Sequence, residues 1–376
     1  MSVEQASNPA GGAPRILVVR PDRIGDVILS TPVLEVLKRH YPRSRVTIMV
    51  REAVAPLLRG LPSVDEVVTF DPDGRHKGLN GLFRLIEEFR KADYRIAVVL
   101  HSHWKIAAAL YAAQVAYRVG PLSKLHSFFF YNRGVRQRRS QVEMHEADYN
   151  LQLLRRLGAR AATRSVPPRV SLPEGARAEA LEWLRSRGYS PGARLVAVHP
   201  GMSGSALNWP ENHWADLIRS LLKDEVKVLA TFGPTEDALR KRLEAQLGEL
   251  ASEVYFYGGR ETGPIDRLAG VLSFAHVIVA PSTGPMHLGV ALGRNVVTFY
   301  PPIRVQSAIR WGPYVNDDSK ASILVPEVYC GEDFRCRGKE CNYFPCMKSI
   351  TVGQAMQEVR KHLAQAARVG EDKAHD

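Results

Sequence analysis

Short unbroken apolar runs recur along the chain, each followed, after a few polar or glycine-containing positions, by apolar residues at helical spacing. Ile16 to Val19 form the first run, and Val27, Ile28, Val33, Leu34 and Leu37 carry the helical period that follows. A continuous run suits a strand buried on both faces, and a strand alternating with a helix implies a parallel sheet. Further strands are expected at residues 45–50, 65–70 and 95–100, with helices over 78–91 and 143–157. Residues 158–176, rich in Ala, Arg and Pro and containing Pro167-Pro168, hold no sustained period and read as a linker. Beyond it the pattern restarts. A helix over 177–187 leads to the strand of RLVAVHPG, a helix begins near Glu211, and strands follow at 226–233, in EVYFYG, and at 276–280. The fold class expected is α/β, two Rossmann-like domains with parallel sheets. Their limits are 15–165 and 166–350, between a disordered tail over 1–14 and a C-terminal helix and tail over 351–376.

Composition agrees with that division. A chain of 376 residues, 45% hydrophobic, can build about two cores without staples. The net charge of +12, from 51 basic and 39 acidic residues, favours an anionic partner without choosing among nucleotide, nucleic acid, phospholipid or acidic glycolipid. No apolar run approaches the ~20 residues of a membrane helix, and the first fourteen residues hold no apolar signal core, which reads as cytoplasmic and non-spanning. All four cysteines, Cys330, Cys336, Cys341 and Cys346, fall in one segment, 330–346, spaced C-x5-C-x4-C-x4-C. Reduced thiols, local disulfides and a tetrathiolate metal site remain open there, the last without the paired C-x2-C spacing of zinc sites.

The candidate chemistry lies where strands end. After the first strand come Arg20, Asp22, Arg23, Gly25 and Asp26, four charged groups and a glycine where open α/β sheets bind ligands. Asp26 falls at a helix start, where the dipole favours an ionised carboxylate, so it either caps the helix or serves a site. His101 and His103 end another strand, as a backbone-satisfied loop pair or as ligand contacts. The stretch His126 to Arg139 joins Phe128, Phe129, Phe130 and Tyr131 to Arg133, Arg136, Arg138 and Arg139. Aromatics beside a basic run suit lipid head groups or an acidic glycan, and equally a solvated loop over a buried anchor.

The second half ends its strands in phosphate-type signals. Ser282 or Thr283 can cap a helix that Pro285 opens and Gly293 closes, and Gly284 admits a ligand close to the backbone. Exposed N–H groups there form an anion site suited to a diphosphate, with His287 one turn in, although an ordinary capped crossover has the same pattern. A second glycine-rich strand end, HPGMSGS, contains Gly201 and Ser203. Neither GxGxxG after the first strand nor GxxxxGK[ST] anywhere is present, which weakens dinucleotide and P-loop readings.

Four motifs in order, RPDRIGDVILSTPVL, HPG with WPENHW, FGPTEDALRKRL and PSTGPMHLGVALG, resemble the ADP-heptose:lipopolysaccharide heptosyltransferases of glycosyltransferase family 9. The resemblance spans roughly residues 15–363. It implies a GT-B fold, with acceptor bound mainly by the first domain and nucleotide sugar by the second across a central cleft. It also implies inversion at the anomeric carbon with no metal and no cofactor. By position Asp26 matches the family's general base, and Thr283 and Gly284 match residues holding the donor diphosphate. Gly201, Ser203, Glu236, Ser282 and His287 are the other donor-side candidates; Arg20, Arg23, Gly25, His103, Arg133 and Arg136 are those for an anionic glycolipid acceptor. Ala206, Leu207 and Asn208 stand before Trp209 where many members carry a basic residue, which leaves the diphosphate's cation to Arg260, Arg304 or Arg310. The partners expected are a nucleotide-diphosphate sugar, that acceptor and the inner membrane surface, with no nucleic acid. A sugar-nucleotide epimerase and a non-enzymatic binding module are the rival readings.

Overall fold

The computed structural model describes residues 13–202, 204, 206–259, 263–330 and 336–372, with side chains to residue 366. Two compact units divide the chain after Pro173. The division falls later than residue 165 because the intervening segment pairs with the first unit. Its Arg169 N–H donates to Thr31 Oγ1 (3.0 Å) and its Ser171 N–H to the Leu57 carbonyl (2.8 Å).

In the first unit six parallel strands run β1 (Arg15–Val19), β2 (Arg45–Val50), β3 (Glu66–Thr69), β4 (Ile96–Val99), β5 (Tyr117–Pro121) and β6 (Arg133–Val135). Their order in the sheet is β3-β2-β1-β4-β5-β6. The chain therefore winds outward in one direction from β1 and in the other from β4, and these two central strands are buried throughout apart from the first residue of β1. The 3.6-residue pattern after β1 is split into α1 (Ile24–Ile28) and α2 (Thr31–His40). Pro32 has no N–H for the Ile28 carbonyl, which accepts from Thr31 Oγ1 instead (2.8 Å), and the helix restarts. The remaining helices are α3 (Gly78–Ala92), α4 (Trp104–Ala112), α5 (Leu125–Phe130) and α6 (Glu146–Leu153). β5 and β6 go beyond the sequence reading. They are short, half-buried at their starts and broken by Gly120 and Gly134, so they lack the apolar run that marks a central strand. Gly120 is required there, because a Cβ would lie 2.5 Å from the Tyr131 ring.

The second unit repeats the plan. α7 (Ala176–Arg185) precedes β7 (Leu195–Val198), then α8 (Glu211–Lys223), β8 (Lys227–Phe232), α9 (Asp237–Leu247) and β9 (Val254–Gly258). α10 (Ile265–Leu272), β10 (Val277–Pro281), α11 (Gly284–Ala291), β11 (Asn295–Phe299), α12 (Ala308–Trp311), β12 (Ala321–Leu324) and α13 (Val352–Asp372) complete it. The sheet order β12-β11-β10-β7-β8-β9, again parallel, puts β7 and β10 side by side at its centre. The WPENHW motif serves this core. Trp209 stacks on Phe299 (centroids 4.4 Å), meets Trp214 edge-on, and donates from Nε1 to the Ile350 carbonyl (2.8 Å), so it anchors the segment leading to α13.

None of the four cysteines is joined in a disulfide. Cys346 is packed in this core, and its thiol is pushed up by burial and by its three neighbours of the same kind. Among the described residues no three His, Cys, Asp or Glu side chains are grouped to hold a metal ion.

Candidate active site

The first unit's chemistry gathers where β1 and β4 diverge, the place at which a doubly wound sheet opens a crevice at its carboxyl edge. Arg20 follows β1 directly and is only 2% exposed. A guanidinium without water must find acceptors for its N–H groups, and Arg20 finds three carboxylates. Its Nη2 donates to Asp26 Oδ1 (2.5 Å), Nη1 and Nη2 both lie 3.3 Å from Glu146 Oε1, and Nε is 3.3 Å or less, at 3.2 Å, from Asp22 Oδ2. Nη1 also reaches Asn150 Oδ1 (3.3 Å) and the Leu100 carbonyl at the end of β4 (3.4 Å). Arg20, expected on the acceptor side, thus turns both Nη groups to partners inside the protein, Asp26 among them.

Asp26 is not a helix cap. Arg23 occupies the cap position of α1 and makes no side-chain cap bond, while the Asp26 carboxylate turns to Arg20. Its pKa is pushed up, first by burial and then by the like charges of Asp22 and Glu146, against the pull of Arg20. That reverses the sequence expectation that the helix start keeps this group ionised. A raised carboxylate is a stronger base once ionised. Activity that needs the carboxylate must therefore rise with pH through a value above the ordinary 3.8. The stability sign is opposite. The folded state holds this proton at a pH where the unfolded chain has lost it, so Asp26 lowers stability as pH climbs through the same window. Glu146→Gln removes one like charge, and the acid limb of the pH–rate profile should move to lower pH; an unmoved limb would show that Glu146 does not tune Asp26.

Glu146 and Asn150 went unread in the sequence. They sit one turn apart on α6, both buried, and Arg139 Nη1 also donates to Glu146 Oε1 (2.5 Å). The leucines of that helix set its period, and only the buried i,i+4 polar pair hinted at a second purpose. Asn150 further donates to Ser30 Oγ (3.3 Å), and Ser30 Oγ to the Asp26 carbonyl (2.7 Å), so the α1–α2 break is tied to the same network.

Around this cluster His101 is half exposed with Nδ1 3.2 Å from Asp22, and burial pushes its pKa down. His103 stands at the cap position of α4, edge-on to Phe70, also pushed down by burial. Ser102 Oγ lies within reach of His126 Nε2 (2.8 Å), Ser127 Oγ (2.9 Å) and Tyr131 Oη (3.0 Å). Tyr131 is buried, its hydroxyl pushed up to about 12, so it belongs to the interior rather than to an outward aromatic patch. Gly25 lies within α1 and Arg23 is exposed beside it. Arg133 is elsewhere. It opens β6 at the sheet's amino end, stacks over Tyr117 (4.6 Å) and donates to the Arg156 carbonyl (3.1 Å), lining a surface hollow of about 370 Å³. Arg136 lies past the other end of β6, exposed, 6.0 Å from the Phe128 ring centre.

The second unit places its candidates where β7 and β10 diverge. His199 and Gly201 follow β7; Ser282, Thr283 and Gly284 follow β10; Glu236 precedes α9. A Cβ on Gly201 would fall about 2 Å from the Glu236 carboxylate (closest approach 1.9 Å), so glycine is what lets these loops meet. Glu236 Oε2 accepts from the Gly233 N–H (2.7 Å) and stands 3.9 Å from His199 Nε2, whose other nitrogen pairs with Thr231 Oγ1 (3.0 Å). Burial pushes His199 down, toward the neutral ring. Thr283 holds the cap position of α11 with extended backbone and no side-chain cap bond; its Oγ1 instead contacts the Pro281 carbonyl (3.3 Å). Pro285 is one residue further into the helix than expected, after Gly284, and His287 is buried behind it. Tyr300, unread in the sequence, is buried beside the hydroxyls of Ser282 and Thr298 and donates to the Trp311 carbonyl (2.5 Å). Arg304 and Arg310 follow β11, neighbour of β10, at the same sheet edge. Ser203 and Arg260 lie outside the described residues.

Two doubly wound units, each with polar groups at its central strand ends, define an α/β protein of the GT-B fold class. Residues 82–343 match the model of glycosyltransferase family 9 (heptosyltransferase), and the chain belongs to that family. A putative glycosyltransferase of Haemophilus influenzae is 28% identical over 323 residues, 83% of this chain and 89% of that protein. Among solved structures, a family 9 glycosyl transferase from Veillonella parvula superposes with TM-score 0.81 at 22% identity, covering 94% of this chain and 98% of that one. The E. coli ADP-heptose lps heptosyltransferase II does so with TM-score 0.73 at 20% identity, covering 93% and 99%.

Proposed function

We propose that this glycosyltransferase moves a heptose, or a related sugar, from a nucleotide-diphosphate donor, ADP-heptose first among candidates, to a lipopolysaccharide core or similar glycolipid, with inversion. The observation that carries the reading is the Asp26 carboxylate, part-buried at the first unit's central divergence, bonded to Arg20 and raised in basicity. In this reading an acceptor hydroxyl attacks the anomeric carbon, and the bond from that carbon to the diphosphate oxygen breaks. The hydroxyl proton passes to Asp26 as the new glycosidic bond forms. The nucleoside diphosphate leaves with the electron pair. Its charge is met by the open amides at the start of α11, the hydroxyls of Ser282 and Thr283, and Arg304 or Arg310 in the place of the basic residue absent before Trp209. In the same reading Glu236 accepts from ribose hydroxyls. The names of the relatives, which refer to heptose and lipopolysaccharide, support donor and acceptor classes.

Melting curves of the protein with ADP-, GDP- and UDP-sugars test the donor, since a ligand of the native state raises its stability by mass action. ADP-heptose should give the largest shift, and mass analysis should then find one added heptose on a core glycolipid. In Thr283→Val/Gly284→Ala, loss of a hydroxyl and crowding of the backbone should weaken ADP binding by roughly tenfold, the scale of one or two hydrogen bonds. Equal affinity in calorimetry would remove α11 from the donor site.

A further inference from the structure

The first unit carries an exposed apolar surface that the transfer chemistry leaves unused. Leu79 (68% exposed) and Phe83 (64%) project from the first turns of α3, Trp104 (50%) from the first residue of α4, and Leu125 (78%), Phe128 (49%) and Phe129 (72%) from α5. These three helices pack in series, α3 on α4 and α4 on α5. α4 and α5 begin soon after β4 and β5 end, so their opening turns lie at the carboxyl edge of the sheet, the edge that holds Asp26 and His101, and α3, which follows β3 after a longer loop, packs on α4. Apolar side chains gathered on neighbouring helix ends cost solubility and mark an interaction surface.

The charge around them selects the occupant. Lys77, Arg84, Lys124 and Arg136 are exposed on or beside the same helix ends, and Arg136 lies over Phe128. A second copy of the chain docked two-fold on this surface would set these cations against one another. An anionic bilayer presents the opposite charge above an apolar interior, which suits side chains that pair an apolar body with a basic rim.

We propose that the opening turns of α3, α4 and α5 form a membrane-docking surface that seats the first unit on anionic phospholipid, with Asp26 held at the level of sugars projecting from the bilayer. This rests on the glycolipid reading of the acceptor. It deepens that reading by giving the enzyme a place to stand. It also shifts the contact expected from the sequence: Tyr131 is buried, Arg133 lies over Tyr117 and Arg139 pairs with Glu146, while α3 and α4 join it.

The test is cosedimentation of the full chain with acceptor-free vesicles of phosphatidylcholine, with and without phosphatidylglycerol, across a salt series. Wild type should bind the anionic vesicles and lose them as salt screens the attraction. Leu125→Ser/Phe129→Ser should lower the partition coefficient at least tenfold while the melting temperature and the ADP-induced shift stay unchanged. Equal partition of the variant overturns the proposal, as does equal binding of wild type to vesicles without phosphatidylglycerol. So does a wild-type dimer in lipid-free sedimentation that the variant dissolves without change in vesicle binding. Transfer to a detergent-dispersed acceptor is measured in parallel. Turnover with vesicle binding unaffected by the variant removes the docking surface and leaves the enzyme reading; vesicle binding lost in the variant, with no glycolipid glycosylated by wild type, does the reverse.

Discussion

Asp26→Asn should leave the fold and ADP binding intact and lower kcat by about a hundredfold or more, the lower scale for losing a general base. Asparagine keeps the shape of the side chain and the oxygen that accepts from Arg20 Nη2, so positioning survives while basicity does not. Because burial and two neighbouring carboxylates push Asp26 up, its ionised form is a strain on the folded state. The variant should therefore be at least as stable as wild type at neutral pH, a pattern in which function and stability part company. Single-turnover kinetics with saturating donor, beside a denaturant melt, measure both. Near-normal kcat removes Asp26 from the role of base. A fall in KM-dependent terms alone would make it a binding group.

Arg20→Met should be the most destabilising single change in the first unit. The methionine fills much of the space, but the buried Glu146 and the part-buried Asp22 and Asp26 are then left without their cation. Breaking such a buried arrangement from one side costs about 3–5 kcal/mol. Adding Glu146→Gln to Arg20→Met should recover part of the loss, since it removes a charge that no longer has a partner, and the double-mutant cycle gives the coupling directly. Arg20→Lys should fall between, because an ammonium supplies the charge without the planar fork that reaches Asp26, Glu146 and Asn150 together. Urea melts of the four proteins test this; a loss below about 1 kcal/mol for Arg20→Met, the scale of a surface pair, would show the cluster to be solvated.

What the amino-acid sequence determined by itself is the repeated strand–loop–helix plan, and with it the polar loops that follow β1, β4, β7 and β10. The reason is that a strand buried on both faces writes itself as a continuous apolar run, and its loop must carry whatever polar groups follow. Edge strands β6 and β12 leave no such mark, since one side of each lacks a neighbour and short or half-exposed residues suffice, and β5, set between β4 and β6, is half-buried at its start and interrupted by Gly120. The order of strands was equally beyond reach, and it is the order that sets β1 beside β4 and β7 beside β10 and so turns loops distant in sequence into two sites. Only tertiary structure decided that Arg20 faces inward rather than toward an acceptor, because its partners Glu146 and Asn150 lie more than a hundred positions away. It likewise decided that Asp26 is raised rather than held down. Local position offered the dipole of a helix start, but desolvation and the charge of Glu146 come from contacts that no local pattern records.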